Sequence, residues 1–180
     1  MKEVIRPLIS AEEIARRVDG IAADISRDYQ GKTVRLICVL KGGVIFMVDL
    51  CRKLTLPVVE FDFMDISSYG DNTESSGVIR IEKDLKNPIT GKDVILVEDI
   101  LDTGQTLSHL VKHLKAQNPA SLKICTLLTK KERRIEHGII PDYVGFDIPN
   151  EFVVGYGLDY AQKYRNLDYI GVLEFLEGQT

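Results

Sequence analysis

The stretch Val94-Ile-Leu-Val-Glu-Asp-Ile-Leu-Asp-Thr-Gly-Gln-Thr-Leu107 decides both the fold and the chemistry predicted for this chain. Its four leading apolar residues predict a buried strand, and the apolar periodicity that begins at Leu107 predicts a helix. Two adjacent carboxylates and a turn rich in hydroxyl groups lie between them. A strand that runs through a short turn into a helix is the unit of a parallel α/β sheet, whose ligands bind at the carboxyl ends of its strands. The stretch therefore predicts a ligand site.

The turn within this stretch has the composition of an anion site. Thr103, Gly104 and Thr106 stand at the predicted start of the helix, where unpaired backbone N–H groups and the helix dipole both favour negative charge. Gly104 lets the backbone approach an anion closely, because it has no side chain. The adjacent acids Glu98 and Asp99 do not suit a phosphate, but they suit hydroxyl groups such as those of ribose. The pattern thus favours a phosphorylated sugar.

The rest of the chain alternates predicted strands with predicted helices. Ser10 and Glu13 have the spacing of a capping box, and the helix that follows them is predicted to end near residue 31. Further helices are predicted at 44–53 and around 107–114, and strands at 34–40, 58–66, 78–82, 93–97, 122–128, 143–146, 152–154 and 169–175. The strands at 58–66 and 78–82 are expected to form a hairpin. This order predicts an α/β fold with a mostly parallel central sheet flanked by helices, in a single domain over residues 1–180.

Composition and charge exclude several classes of protein. The chain has 180 residues and a formal net charge of −4, with no basic stripe of the kind that duplex DNA or an anionic membrane requires. No apolar run approaches the roughly 20 residues that span a bilayer, and the first residues lack the apolar core of a secretory signal. The three cysteines cannot all pair within the chain, which favours a reducing compartment. We therefore expect a cytoplasmic protein that binds neither nucleic acid nor membrane.

The central stretch closely resembles the phosphoribosyl-pyrophosphate (PRPP) motif of the type I phosphoribosyltransferases, and most of all that of their hypoxanthine-guanine (6-oxopurine) branch. Other motifs follow in the family's order and extend the resemblance over about residues 36–175: Leu40-Lys-Gly-Gly43, Ser68-Tyr69, Leu127-Leu-Thr-Lys-Lys131, Pro141 to Pro149, Phe152 to Tyr160, and Tyr164-Arg165. The resemblance implies the family's fold, with a small purine-binding hood formed by the terminal segments. It also implies an enzyme of purine salvage that transfers the 5-phosphoribosyl group of PRPP to N9 of hypoxanthine and/or guanine, giving IMP or GMP and pyrophosphate.

The resemblance further implies which residues bind PRPP. Glu98 and Asp99 would hold the ribose hydroxyls, directly or through Mg²⁺, and Asp102 would be the general base near N7 of the purine. The 5-phosphate would bind the turn formed by Asp102, Thr103, Gly104, Gln105 and Thr106. Pyrophosphate would meet Lys41, Gly42 and Arg165. Ser68 and Tyr69 would belong to a lid loop, 67–77, that closes over the transition state. Gln105 departs from relatives that have a lysine or a small residue there.

The purine side is assigned in the same way. Phe152 would stack on the base, Ile100 would pack against its other face, and Val153 would meet its edge through the backbone. Lys130 would donate a hydrogen bond to O6 of the purine, which the 6-amino group of adenine cannot accept. Asp159 would lie near C2 of the purine and support a second metal ion, so the metal ligands would be Glu98, Asp99 and Asp159. Relatives are usually homodimers or homotetramers.

Two alternatives stay open from the sequence. The same fold could accept xanthine, since the C2 group is expected to meet backbone atoms, or adenine, which Lys130 disfavours. A regulatory protein that binds nucleotide or PRPP through the same turn is the alternative from another class. Such regulators should carry a basic surface, and the net charge of −4 argues against one.

Overall fold

The computed structural model describes residues 2–68, 79–130 and 138–176, which form an α/β fold. Its strands and helices follow one another in this order: β1 (Lys2–Ile9), α1 (Ala11–Asp28), β2 (Thr33–Leu40), α2 (Val44–Lys53), β3 (Val58–Ser68), β4 (Ile79–Lys83), β5 (Asp93–Leu101), α3 (Gln105–Lys115), β6 (Ser121–Thr129), β7 (Tyr143–Asp147), β8 (Val153–Val154) and β9 (Ile170–Leu176).

The central sheet is mostly parallel, as the sequence predicts. Within the described ranges it has six strands in the order β4-β3-β2-β5-β6-β7. The pairs β3–β2, β2–β5, β5–β6 and β6–β7 are parallel, and β4 lies antiparallel at the edge. The antiparallel β3–β4 pair confirms the predicted hairpin. All parallel strands end at the same edge of the sheet, which brings the ends of β2, β5 and β6 together.

Helices cover both faces of this sheet. Successive side chains of β2 and β5 point to opposite faces, so Leu36 and Ile95 join the apolar cluster that includes α1 and α2, whereas Ile37 and Leu96 join the cluster that includes α3. Strands buried on both faces need continuous apolar runs, which is why 93–97 was readable as a strand. α1 begins with the predicted capping box, in which Ser10 Oγ accepts a hydrogen bond from the Glu13 backbone.

A second, three-stranded sheet forms from the two ends of the described chain, in the order β1-β9-β8. It corresponds to the hood that the resemblance implies. The strand β1 has no counterpart among the strands predicted from the sequence, because its apolar residues do not alternate regularly and Pro7 interrupts them. Its register with β9 shifts between Pro7 and Ile9, so the proline lies at an irregularity of the pairing, where a missing N–H is tolerated.

Several element boundaries differ from the predictions. β5 runs on to Leu101, so Glu98 and Asp99 lie inside the strand near its end, and β3 runs on to Ser68, so Ser67 and Ser68 are not in the polar loop. α1 ends at Asp28 rather than near residue 31. Tyr69 and the rest of the predicted lid loop lie outside the described residues.

The three cysteines are free thiols. In the parts of the chain that the structure describes, no helix is long and apolar enough to cross a membrane.

Candidate active site

The turn between β5 and α3 forms the centre of the candidate site. Gly104 precedes the first residue of α3 in a left-handed conformation, with φ of 85°, and lacks a side chain that could cap the helix. A cleft of about 230 Å³ opens at this turn. Its lining contains five of the residues predicted to bind ribose phosphate, together with apolar neighbours: Glu98, Asp102, Thr103, Gly104 and Thr106, with Ile100, Leu101 and Leu107. The uncovered helix start therefore faces a space that a phosphate group fits.

The two adjacent acids are buried beside this cleft. Glu98 is only 8% exposed, and its Oε2 is buried without a hydrogen-bond partner in the structure. Burial, reinforced by the neighbouring Asp99 carboxylate, raises the pKa of Glu98 well above its usual range. Burial also raises the pKa of Asp99, although its Oδ1 accepts a hydrogen bond from the Ile100 backbone at 2.7 Å. A buried carboxylate oxygen with no partner suits a cation or a ligand hydroxyl, so these acids fit a Mg²⁺-dependent ribose site.

The Lys41-Gly42 loop lies directly against Asp99. The peptide bond between Leu40 and Lys41 is cis. A Cβ atom added at Gly42 would come within 1.6 Å of Asp99 Oδ2, so no residue larger than glycine fits without moving that carboxylate. The structure thus brings together the predicted pyrophosphate loop and the predicted ribose ligand, although they are far apart in sequence.

The segment 152–165, called the C-terminal motif below, lies at the same edge of the site. Gly157, with φ of 101°, packs so closely that an added Cβ would lie 2.2 Å from the Gly42 carbonyl oxygen. Arg165 Nη1 donates a hydrogen bond to the Gly157 carbonyl at 2.6 Å, and Arg165 Nη2 lies 2.7 Å from Asp159 Oδ1. Arg165 is also near enough to counteract the rise in the pKa of Asp99. The two predicted pyrophosphate contacts, Lys41-Gly42 and Arg165, therefore belong to one continuous surface.

Lys130 and Asp102 lie close together beside the turn. Lys130 follows β6, and its backbone N–H donates to the Leu101 carbonyl at 3.1 Å. Its ammonium group is almost fully buried and lies 3.8 Å from Asp102 Oδ2. The predicted general base and the predicted O6 donor are therefore neighbours, a relation that sequence spacing does not reveal.

The remaining predicted purine contacts lie on the hood and at the end of β5. Phe152 is 54% exposed and packs edge-to-face against Tyr160, with ring centroids 5.8 Å apart. An exposed aromatic face is available for stacking, whereas Val153 is buried in β8 and can offer only its backbone. Ile100 packs against the apolar cluster that contains Val153.

The three predicted metal ligands, Glu98, Asp99 and Asp159, do not converge in the structure. The carboxylate of Asp159 pairs with Arg165 and accepts a hydrogen bond from the Gln162 backbone, rather than joining Glu98 and Asp99. Among the described residues, no three His, Cys, Asp or Glu side chains converge as a metal site.

Two anchors of the C-terminal motif have no signal in the sequence. The Tyr156 hydroxyl donates to Asp49 Oδ2 of α2 at 2.6 Å, and Glu3 of β1 accepts hydrogen bonds from both Lys163 and Tyr164. These pairs join residues more than a hundred positions apart, so no local pattern marks them.

Known proteins that are similar in sequence to this chain are phosphoribosyltransferases. The model of the phosphoribosyl transferase domain family matches residues 8–161. A hypoxanthine-guanine phosphoribosyltransferase of Mycobacterium avium is 51% identical, with 93% of this chain and 84% of the relative covered. One from Streptococcus thermophilus is 47% identical, with 96% and 95% covered.

Solved structures that are similar to this chain are also phosphoribosyltransferases. A Bacillus anthracis hypoxanthine-guanine phosphoribosyltransferase has a TM-score of 0.89 and 43% identity, with 97% of this chain and 100% of that chain covered. A Staphylococcus aureus hypoxanthine phosphoribosyltransferase has a TM-score of 0.89 and 46% identity, with 94% and 91% covered. These matches confirm both the predicted fold class and the resemblance found in the sequence. The chain belongs to the phosphoribosyl transferase family.

Proposed function

We propose that this chain is a purine salvage enzyme that transfers the 5-phosphoribosyl group of PRPP to N9 of hypoxanthine and/or guanine, releasing pyrophosphate. The convergence of the β5–α3 turn, the Lys41-Gly42 loop, Lys130 and the Arg165 motif on one edge of the sheet carries this proposal. Each group of PRPP then has a matching partner: phosphate at a helix start, ribose at a pair of acids, and pyrophosphate at an arginine and a loop. The two relatives that are 51% and 47% identical are both named hypoxanthine-guanine phosphoribosyltransferase, which supports the proposal.

The phosphate-binding turn works through its backbone. The amides at the start of α3 and the hydroxyls of Thr103 and Thr106 hold the 5-phosphate, with Asp102, Gly104 and Gln105 completing the turn. Because the phosphate is fixed at the helix, the ribose extends towards Glu98 and Asp99, which receive its hydroxyl groups. Lys41, Gly42 and Arg165 then hold the pyrophosphate on the opposite side of the reacting carbon.

Mg²⁺ fits beside Glu98 and Asp99, whereas Asp159, whose carboxylate pairs with Arg165, would support a second metal ion. The partnerless buried oxygen of Glu98 is the observation that supports the fit. When bound, Mg²⁺ neutralises the charge of the pyrophosphate group and so makes it a better leaving group. The acids themselves orient the ribose by accepting hydrogen bonds from its hydroxyls.

The base is positioned by Lys130 and deprotonated by Asp102. The Lys130 ammonium donates to O6 of a 6-oxopurine, Phe152 stacks on the ring, and Ile100 packs against its other face. Val153 and Asp159 offer backbone groups to its edge. The Asp102 carboxylate takes the N7 proton as the N9–C1′ bond forms, and proton transfer of this kind contributes about 10²–10⁴-fold in rate.

Further aspects of the function rest on the resemblance. Ser68 and Tyr69 would close the site, because a positively charged sugar in the transition state must be kept from water. The partners would be small molecules, not nucleic acid, in a cytoplasmic protein whose single domain spans 1–180. Self-association as a homodimer or homotetramer is likewise proposed from the resemblance alone.

Turnover with four bases tests the proposal. The purified chain is given PRPP with hypoxanthine, guanine, xanthine or adenine, each with and without Mg²⁺, and nucleotide formation is followed. We expect product with hypoxanthine or guanine only when Mg²⁺ is present. Product with adenine alone would overturn the base assignment, and binding of PRPP with no product from any base would favour the regulatory protein.

A further inference from the structure

A buried hydrogen bond links the C-terminal motif to the helix behind the pyrophosphate loop. Tyr156 is 7% exposed and adopts a left-handed φ of 48° between two glycines, and its hydroxyl donates to Asp49 Oδ2 at 2.6 Å. A non-glycine residue in this conformation is uncommon and is held there by its surroundings.

Each end of this bond is adjacent to a proposed pyrophosphate contact. Asp49 lies in the second turn of α2, the helix that begins directly after Lys41-Gly42-Gly43. Tyr156 directly precedes Gly157, which packs against the Gly42 carbonyl and accepts the hydrogen bond of Arg165. The hydrogen bond therefore joins α2, which directly follows the Lys41-Gly42 loop, to the segment that is hydrogen-bonded to Arg165.

We infer that Tyr156 and Asp49 are positioning residues that fix the Lys41-Gly42 loop and Arg165 at the separation that pyrophosphate requires. This inference rests on the proposed function, since it assigns pyrophosphate to the space between these two groups. Neither residue touches substrate, so each acts through the loop or the arginine that it holds in place.

Tyr156 packs in the apolar cluster that also contains Phe46, Met47 and Leu50 of α2, and its hydrogen bond to Asp49 lies at the edge of this packing. Asp49 and Tyr156 both line a hollow of about 460 Å³ between α1, α2 and the segment 166–168. On the side of the hollow there are few van der Waals contacts, so there the hydrogen bond is the contact that fixes the Tyr156 hydroxyl relative to α2. Burial, together with the hydrogen bond to Asp49, raises the pKa of the Tyr156 hydroxyl, which keeps it protonated and able to donate.

Ligands that do or do not contain pyrophosphate distinguish positioning from general stability. PRPP and inorganic pyrophosphate need the space between Lys41 and Arg165, whereas IMP occupies only the phosphate turn and the purine side. For Tyr156→Phe, calorimetry in the presence of Mg²⁺ should give Kd values for PRPP and pyrophosphate that are about 10-fold higher, the typical effect of a hydrogen bond to a charged group. The Kd for IMP should stay within twofold.

Tyr143→Phe is a matched control. Tyr143 is equally buried, and its hydroxyl also donates to an aspartate, Asp28 Oδ2 at 2.8 Å, but it lies at the start of β7, the end of the sheet away from the site. It should lower the melting temperature without changing the Kd of any of the three ligands. An equal loss of PRPP affinity in Tyr143→Phe would overturn the inference.

Substitutions of Asp49 complete the test and do not disturb the tyrosine ring. Asp49→Ala should reproduce the selective loss, whereas Asp49→Asn, whose side-chain carbonyl still accepts from the hydroxyl, should recover most of the affinity. Adding Tyr156→Phe to Asp49→Ala should cause no further loss. Unchanged pyrophosphate affinity in both Tyr156→Phe and Asp49→Ala, or an equal loss of IMP affinity in both, would overturn the inference. Failure of the unsubstituted chain to bind PRPP would instead count against the proposed function.

Discussion

Substitution of Gly42 by alanine is the sharpest single perturbation that the site offers. The new methyl group would lie 1.6 Å from Asp99 Oδ2 and 2.7 Å from Asp99 Cγ, so the carboxylate and the methyl group cannot keep their present positions. Gly42 has no positive φ, and the backbone of alanine is therefore compatible with the site. The effect should come from the clash with Asp99 alone.

The structure indicates the size of the effect. Carbon and oxygen atoms that are not bonded stay more than 3.0 Å apart, so a displacement of over an ångström is needed. Movement of the Asp99 carboxylate would strain the 2.7 Å hydrogen bond that its Oδ1 accepts from the Ile100 backbone, and overpacking of this kind costs about 1–3 kcal/mol. For a protein of this size that lowers the melting temperature by roughly 2–12 °C. Misplacement of a substrate-positioning group by about 1 Å can reduce kcat/KM by about 10²-fold.

The assay compares Gly42→Ala with Gly20→Ala. A Cβ atom at Gly20, in α1, would meet only Arg17 Nη1 at 3.7 Å, which is ordinary contact, and alanine is favoured over glycine within a helix by about 1 kcal/mol. We expect Gly20→Ala to retain activity and to melt at the same or a higher temperature. If Gly42→Ala keeps full kcat/KM for PRPP and an unchanged melting temperature, the proposed contact between the loop and the ribose site is wrong.

Four further outcomes are expected. Lys130→Met should lower kcat/KM for hypoxanthine by about 10–10²-fold through loss of the charged donor to O6, and an unchanged value would refute that role. Asp102→Asn should lower kcat by about 10²–10⁴-fold while the Kd for PRPP changes little, and a loss confined to PRPP binding would argue against a general base. Excess EDTA should abolish turnover and added Mg²⁺ should restore it, so undiminished turnover in EDTA would contradict the metal requirement. The Tyr143 hydroxyl lowers the pKa of Asp28, so its stabilising effect is present above about pH 4 and is lost as the pH falls through the lower, folded-state pKa. Urea unfolding should therefore show that Tyr143→Phe is destabilised at pH 6 and little changed at pH 2. An equal loss of stability at both pH values would contradict this.

The central sheet could be predicted because its strands are buried on both faces. A strand such as 93–97, which sends Ile95 to one apolar cluster and Leu96 to the other, must be apolar throughout and so stands out in the sequence. The capping box at Ser10 was equally readable, since it depends on two residues three positions apart. Local patterns of this kind carry their own signal.

β1 and the contacts between distant segments could not be predicted in this way. β1 exists because β9 supplies its hydrogen-bonding partner, and its own pattern, interrupted by Pro7, is too irregular to identify it. The contacts of Gly42 with Asp99 and with Gly157 likewise depend on how strands far apart in sequence end at one edge of the sheet. The residue types pointed to the chemistry, but only the fold shows that Lys130 and Asp102 are neighbours.

A crystal structure of the protein with IMP, pyrophosphate and Mg²⁺ tests the central claim most directly, because it fixes the position of every group. We predict the 5-phosphate on the amides of the turn 103–106, O6 of the purine within hydrogen-bond distance of Lys130 Nζ, and pyrophosphate between Lys41 and Arg165. Phosphate bound away from the α3 start, or a purine that does not contact Lys130, would contradict the proposed site.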